Sequence, residues 1–188
     1  MARPKSEDKR SAILAAGIRV IVSQGLSAPT AVIAKEAGVA NGTLFTYFET
    51  KTDLLNELYL DLKSQMASAA LKGFLPEGES RKQFFRVWSN WMGWAVAHPK
   101  KRRVLALLGV SDEITAKSRA AGQKTMAPMR ELLERIHAAG PMRDAPMGMF
   151  LSLMNSVAEA TMDYMVLDKA HADKHCRVGF EALWRMIG

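Results

Sequence analysis

Apolar residues recur three and four apart along most of the chain, the spacing of helices that bury one face. The first helix is expected from Ser6 or Glu7 to Gln24, with Ile13, Ala16, Gly17, Val20 and Ile21 on its inner face. Ser6 suits its cap, Glu7 and Asp8 suit its positive end, and Gly25 suits its stop. Two short helices follow, over 30–37 and 41–47. A longer one begins near Lys51 and ends before Gly73, with the stripe Leu54, Leu55, Leu58, Leu62 and Met66. Gly73 to Ser80 holds two glycines and a proline and reads as a loop. Further helices are expected over 81–97, 99–108, 112–121 and 124–138, with a break at His98-Pro99. Two longer ones, over 146–168 and 171–187, close the chain as an antiparallel hairpin. Their stripes are Phe150, Leu151, Met154, Val157, Ala158, Thr161 and Met165, then Cys176, Phe180, Leu183, Trp184 and Ile187. Alternating β-branched runs between turn residues are absent, so the fold class is all-α.

The stretch from Thr30 to Lys51, TAVIAKEAGVANGTLFTYFETK, carries the chemistry. Thr30 is expected to cap a two-turn helix whose inner face is Ile33, Ala34 and Ala37. Small Ala34 admits a second helix closely, Gly38 supplies the positive φ of a tight turn, and Val39 plugs the corner. The second helix is expected to bury Leu44, Phe45 and Phe48. Helix, glycine turn and helix are the parts of a helix-turn-helix. Asn41, Gly42, Thr43, Thr46 and Tyr47 are then left outside. They are small or polar, as a helix entering a major groove requires. Hydroxyls, backbone N–H groups and Lys51 suit phosphates, and Asn41 suits a base edge, adenine above all.

Charge changes this picture little. The net charge is +7. Residues 1–72 hold nine Lys and Arg against seven Asp and Glu, and residues 73–188 hold seventeen against twelve. The excess is thus not concentrated on the motif, so the case rests on pattern. The one cysteine, Cys176, excludes an internal disulfide and reads as a small core residue suited to a reducing compartment. The charged start, 1–10, is unlike a secretory leader. With no long apolar run to enter a membrane, a soluble cytoplasmic protein is expected. No P-loop, nucleophile elbow, zinc-hydrolase motif or dinucleotide fingerprint occurs, so no enzyme and no cofactor are expected. His171 and His175, four apart with Asp173 and Cys176 nearby, have metal-ligand spacing. Their place at a charged turn favours solvated histidines, and no metal is predicted. The run Lys100 to Arg103 and the pair Glu159 and Asp163 read as solvated helix faces.

From Ile13 to Leu55 the pieces ILAA, QG, PT, IAKEAGV, GTLFTYF and KTDLL resemble, in order and spacing, the tetracycline-repressor (TetR) family of bacterial transcriptional regulators. The resemblance implies an N-terminal three-helix helix-turn-helix DNA-binding domain, 6–66, and a larger helical effector-binding and dimerisation domain, 67–188. By position it implies phosphate contacts from Thr30 and Lys51 and DNA contacts from Thr43 and Tyr47. Asn41 and Gly42 match positions that set sequence preference. Phe45 stands where tyrosine is usual, so a hydroxyl is missing. Ala40 stands where serine is common, so the usual cap of the recognition helix is missing.

The partner implied is double-stranded operator DNA, bound by a homodimer formed through residues 146–187. The family analogy also implies a small apolar or aromatic effector that releases a repressor. The stretch FFRVWSNWMGW over 84–94 and the later methionines supply adaptable apolar lining, and Trp88, Trp91, Met92, Met126, Met129, Phe150 and Met154 are the candidate ligand residues. Two other readings share the pattern. A helix-turn-helix binder without an effector would have a closed core, and a helical protein-interaction module would show no sequence-selective DNA binding.

Overall fold

The computed structural model describes residues 6–188. The expectation about the charged start therefore lies partly outside the described residues. The described residues form ten α-helices and no strand: α1 Glu7–Gln24, α2 Thr30–Glu36, α3 Asn41–Tyr47, α4 Lys51–Ala70, α5 Ser80–Ala97, α6 Pro99–Gly109, α7 Ala116–Lys124, α8 Arg130–Ala139, α9 Met147–Leu167 and α10 Ala172–Ile187. Short 3-10 turns occupy Ala127–Met129 and Lys169–His171. No helix among the described residues is long and apolar enough to cross a membrane.

Two expected helices differ, each for a local reason. The helix expected over 112–121 begins at Ala116. Thr115 caps it, its Oγ1 accepting from Ser118 N at 3.1 Å. The helix expected over 124–138 is divided, because Pro128 has no N–H to donate. A 3-10 turn stands there and α8 starts at Arg130.

Packing divides the chain into two compact units. The first holds the described residues up to Ser64 together with Lys100–Gln123. The second domain expected from sequence, 67–188, included that latter segment. Its Val104, Leu108 and Ile114 are buried in one core cluster with Ile13, Ile21, Ile33, Leu44, Leu54 and Leu58. Apolar faces find their partners by shape and not by chain order. One buried polar side chain joins the segment to α4. Asn56 Nδ2 donates to the carbonyl oxygens of Thr52 and Glu113, both at 2.8 Å. Its Oδ1 accepts from Thr115 N at 2.9 Å and Thr115 Oγ1 at 3.2 Å. Every hydrogen-bonding position of that amide is filled, as burial demands.

The second unit comprises Gln65–Pro99 and Lys124–Gly188. Here α9 and α10 pack on each other and on α5. The α10 stripe is buried at Cys176, Phe180, Leu183 and Ile187, as expected, while Trp184 is half-buried. Phe85 meets Phe180 edge-on at 4.7 Å, and Trp184 stacks on Phe180 at 5.9 Å. Trp88 Nε1 donates to Cys176 O at 3.0 Å. A β-carbon on Gly179 would overlap the Thr161 side chain, so this glycine sets how closely the two closing helices approach.

Candidate nucleic-acid interface

The interface is built on α1 to α4. The turn after α2 closes with paired backbone bonds, Val39 N to Ala34 O at 3.0 Å and Gly38 N to Lys35 O at 3.1 Å. That double closure around a glycine at φ +68° is the Schellman ending of a helix. It aims the chain straight into α3. Ala40 caps α3 with backbone only, Thr43 N and Leu44 N donating to its carbonyl at 2.9 and 3.2 Å, as the missing serine foretold. After α3, Thr50 and Asp53 form a reciprocal capping box. Thr50 N donates to Asp53 Oδ2 and Asp53 N to Thr50 Oγ1, both at 3.0 Å. This box, unnoticed in the sequence, starts α4 at Lys51.

Two expected caps are absent. Thr30 is the first residue of α2, and Pro29 holds the cap position without a side-chain bond. A proline supplies the extended φ for the entry but no acceptor, so the Thr30 hydroxyl is left to other partners. Ser6 does flank α1, yet its side chain makes no cap bond. Its backbone N–H donates to the Tyr47 hydroxyl at 2.9 Å.

Seven residues of α3 bury one narrow face. Leu44 and Phe48 are inside, at 0% and 2% exposure. Phe45, expected inside, is 40% exposed. Phe45 stands about 100° around the helix from Leu44, and the core built with Ile13, Ile33 and Leu54 covers Leu44 and Phe48 while leaving Phe45 in solvent. The exposed arc consists of Asn41, Gly42, Phe45 and Thr46, flanked by half-buried Thr43 and Tyr47.

Hydrogen bonds define what each hydroxyl on this arc has left to offer. Thr46 Oγ1 donates to Gly42 O at 3.1 Å, which leaves it acceptor sites. Tyr47 accepts from Ser6 and keeps its own hydrogen for an anion. Lys51 is half-buried and makes no ion pair among the described residues. Arg19 Nε pairs with Glu36 at 2.5 Å and fixes α1 to the end of α2.

A cleft of about 560 Å³ lies between α1, the end of α3 and α4, lined by Glu7, Arg10, Tyr47, Phe48, Glu49, Asp53 and Glu57. Four carboxylates against one guanidinium repel phosphate. Arg10 is itself committed to Glu57 and lies over the Phe48 ring. The carboxylate-lined part of this cleft is therefore ill suited to phosphate.

A family model, bacterial regulatory proteins of the tetR family, matches residues 13–58. A structure from Shewanella sp. PV-4 assigned to the TetR-family transcription regulators is similar over 94% of this chain and 96% of its own, with 28% identity and a TM-score of 0.82. The chain has the fold of TetR-family regulators, and its segment 13–58 matches that family's own model. Its α2–α3 pair lies within that segment and is a DNA-binding helix-turn-helix of the TetR type. A TetR-family regulator from Marinobacter aquaeolei VT8 shares the fold, with 22% identity, 96% of each chain and a TM-score of 0.81. So does the TetR-like regulator LfrR from Mycobacterium smegmatis, solved with proflavine, with 19% identity over 96% of this chain and 98% of its own and a TM-score of 0.68.

The candidate ligand residues all fall in the second unit. Trp88, Met92, Met129 and Phe150 are buried, whereas Trp91, Met126 and Met154 are half-buried. A surface cleft of about 380 Å³ in that unit is lined by other residues, among them Phe85, Arg177 and Phe180. His171, in the turn before α10, and His175, in the first turn of α10, share Asp168 as their hydrogen-bond partner. His171 Nδ1 and His175 Nε2 meet Asp168 Oδ2 at 3.0 and 2.9 Å. Those bonds, from His175 first and then His171, hold the Asp168 carboxyl below its usual range. No cluster suited to a metal ion exists among the described residues. Burial pushes the Cys176 thiol up, which opposes the thiolate that redox sensing needs.

Proposed function

We propose that the protein is a dimeric repressor that binds a palindromic operator and is released by a small apolar or aromatic ligand. One observation carries the DNA half of this reading: α3 presents a solvent-facing arc of small, polar and aromatic side chains beside an uncommitted lysine. In this reading α3 enters the major groove. Asn41 and Gly42 face base edges, while Thr43, Thr46 and Tyr47 stand at the groove wall. Thr30 and Lys51 hold phosphates, and the backbone capped at Ala40 turns its N–H groups to a third.

One seven-residue helix spans too few bases for useful specificity, so two copies are needed. Two recognition helices about 34–36 Å apart reach successive major grooves. The hairpin over 146–187 is the proposed two-fold interface. It exposes Met149, Tyr164, Leu167 and Val178, with small Ser156, Ala160 and Ala182 also on the outside. Two such hairpins make a four-helix bundle. A dimer seated on its operator excludes polymerase, which is repression, and its place of action is the cytoplasm, where the DNA is.

The effector would lodge among Trp88, Trp91, Met92, Met126, Met129, Phe150 and Met154. LfrR was solved with proflavine and the FadR of Bacillus subtilis with stearoyl-CoA, so this fold admits a planar aromatic ligand and a long-chain acyl ligand. The unbranched methionines give the group the means to repack around a guest. A binder without effector is the second reading, favoured by the complete burial of Met92 and Phe150 at 0% exposure.

The test is selection of bound duplexes from random-sequence DNA. A palindrome with half-sites one turn apart is the expected result. No enriched motif, with binding that vanishes at moderate salt, overturns the reading and leaves a helical interaction module. Release of the selected operator by planar aromatic or acyl compounds then separates the effector reading from the effector-free one.

A further inference from the structure

Phe45 is the one large apolar side chain on the exposed arc of α3. Leu44 and Phe48 already fill the inner face, so the core does not require an aromatic at position 45. Phe45 lies four residues after Asn41 and three after Gly42, and the three share the outer side of the helix. The ring has no hydrogen-bonding atom, so it cannot take a phosphate or a base edge by polar contact. Within a major groove, one feature of a base pair rewards an apolar surface. It is the thymine C5-methyl, which no other standard base carries. Gly42 beside it has no side chain, and no heavy atom lies within 4 Å of where its β-carbon would stand. The groove floor can therefore approach the ring closely.

We propose that Phe45 is a specificity-determining residue that reads a thymine methyl in each operator half-site. The inference rests on the DNA-binding reading above. It adds a base identity to that reading, a thymine at one fixed position per half-site, set off from the base that Asn41 faces. Two neighbouring positions on α3 thus use different chemistry, a polar contact at Asn41 and an apolar one at Phe45.

The experiment uses the full-length protein and the operator obtained by selection. Each thymine is replaced in turn by deoxyuridine, which removes only the methyl. Affinity is measured at fixed salt for the wild type and for Phe45→Ala. Losing one buried methyl costs roughly four-fold per half-site and about 16-fold when both half-sites change. The expected result is such a loss at one symmetric position for the wild type and none at that position for Phe45→Ala. The variant should keep the wild-type salt slope, because its phosphate contacts remain. Methyl loss that is silent everywhere, or equal in both proteins, overturns the role of Phe45 while leaving the operator intact. Failure to obtain any operator would instead strike the DNA-binding reading.

Discussion

Two helix pairs, α2–α3 and α9–α10, solve opposite problems. The first has seven residues in each helix. It buries Ile33, Ala34 and Leu44 and keeps α3's outer arc in solvent. So short a pair cannot hold its angle by side-chain area alone. The Schellman turn at Gly38, the Arg19–Glu36 pair and the Thr50–Asp53 box hold it from outside. The second pair has 21 and 16 residues and is fastened through its own contact face, where Gly179 meets Thr161. A pair built to read another molecule is supported at its ends and turn, so that its front stays clear. A pair built for mass is supported along its length.

The same substitution separates the two mechanisms. In Gly179→Ala the new methyl meets Thr161 Oγ1, Cγ2 and Cβ, all within 3 Å. Overpacking of this kind costs roughly 1–3 kcal/mol, and denaturant unfolding should read a loss near the top of that range. Thr161→Ala removes two of the three clashing atoms and should restore much of the loss. Additive losses in the double variant would contradict the contact.

In Gly38→Ala nothing lies within 4 Å of the new methyl. The cost is the left-handed backbone, about 1–2 kcal/mol, and no neighbouring substitution should relieve it. Gly38→Asn should cost less, since asparagine visits that region more readily. A Gly38→Ala protein as stable as the wild type would show that the turn is not held at positive φ.

Lys51→Ala should scarcely alter stability. It should weaken binding to all duplexes alike and lower the salt slope by about one for each Lys51 that contacts phosphate. Asn41→Ala should instead change preference at one base position per half-site. If the two variants gave the same profile, the division between a phosphate contact at Lys51 and a base contact at Asn41 would fall.

The smallest effect concerns pH at the turn between α9 and α10. The Asp168 carboxyl sits below its usual range because His175 and His171 bond to it. Its folded pKa is depressed, so its contribution is present above the ordinary aspartate range, near 4, and fades as pH falls through the folded value. Asp168→Asn should flatten the acid limb of a melting-temperature profile and leave the α2–α3 pair unaffected. An unchanged acid limb would show that the carboxylate adds nothing to folding.

Features that depend on a few adjacent residues were legible in the chain. The stripes Ile13 to Ile21 and Leu54 to Met66 identify inner faces, and Gly38 identifies the turn, because periodicity and positive φ are properties of the local backbone. The capping box at Thr50 was equally local and was present in the letters. The exposure of Phe45 is not legible in the chain, because three apolar residues in five, at 44, 45 and 48, fit a buried face until neighbouring helices fill it. Thr30 lost its cap role to Pro29 by a shift of one residue, which composition does not resolve. Asn56 looked like any polar residue on a helix. Its partners, Glu113 and Thr115, lie almost sixty residues away.

By itself, then, the sequence determined an all-helical chain, a glycine-hinged helix pair near residues 30 to 48 and the side chains available to meet DNA. Those follow from backbone propensity and the angle of the helix, which act within a turn or two. Only the tertiary structure decided that Lys100–Gln123 joins the first unit, that Asn56 is its polar link, and that Phe45 stands outside with Asn41. Each depends on which surfaces remain uncovered after distant segments have packed, and that competition is settled by shape and hydrogen-bond satisfaction across the whole chain.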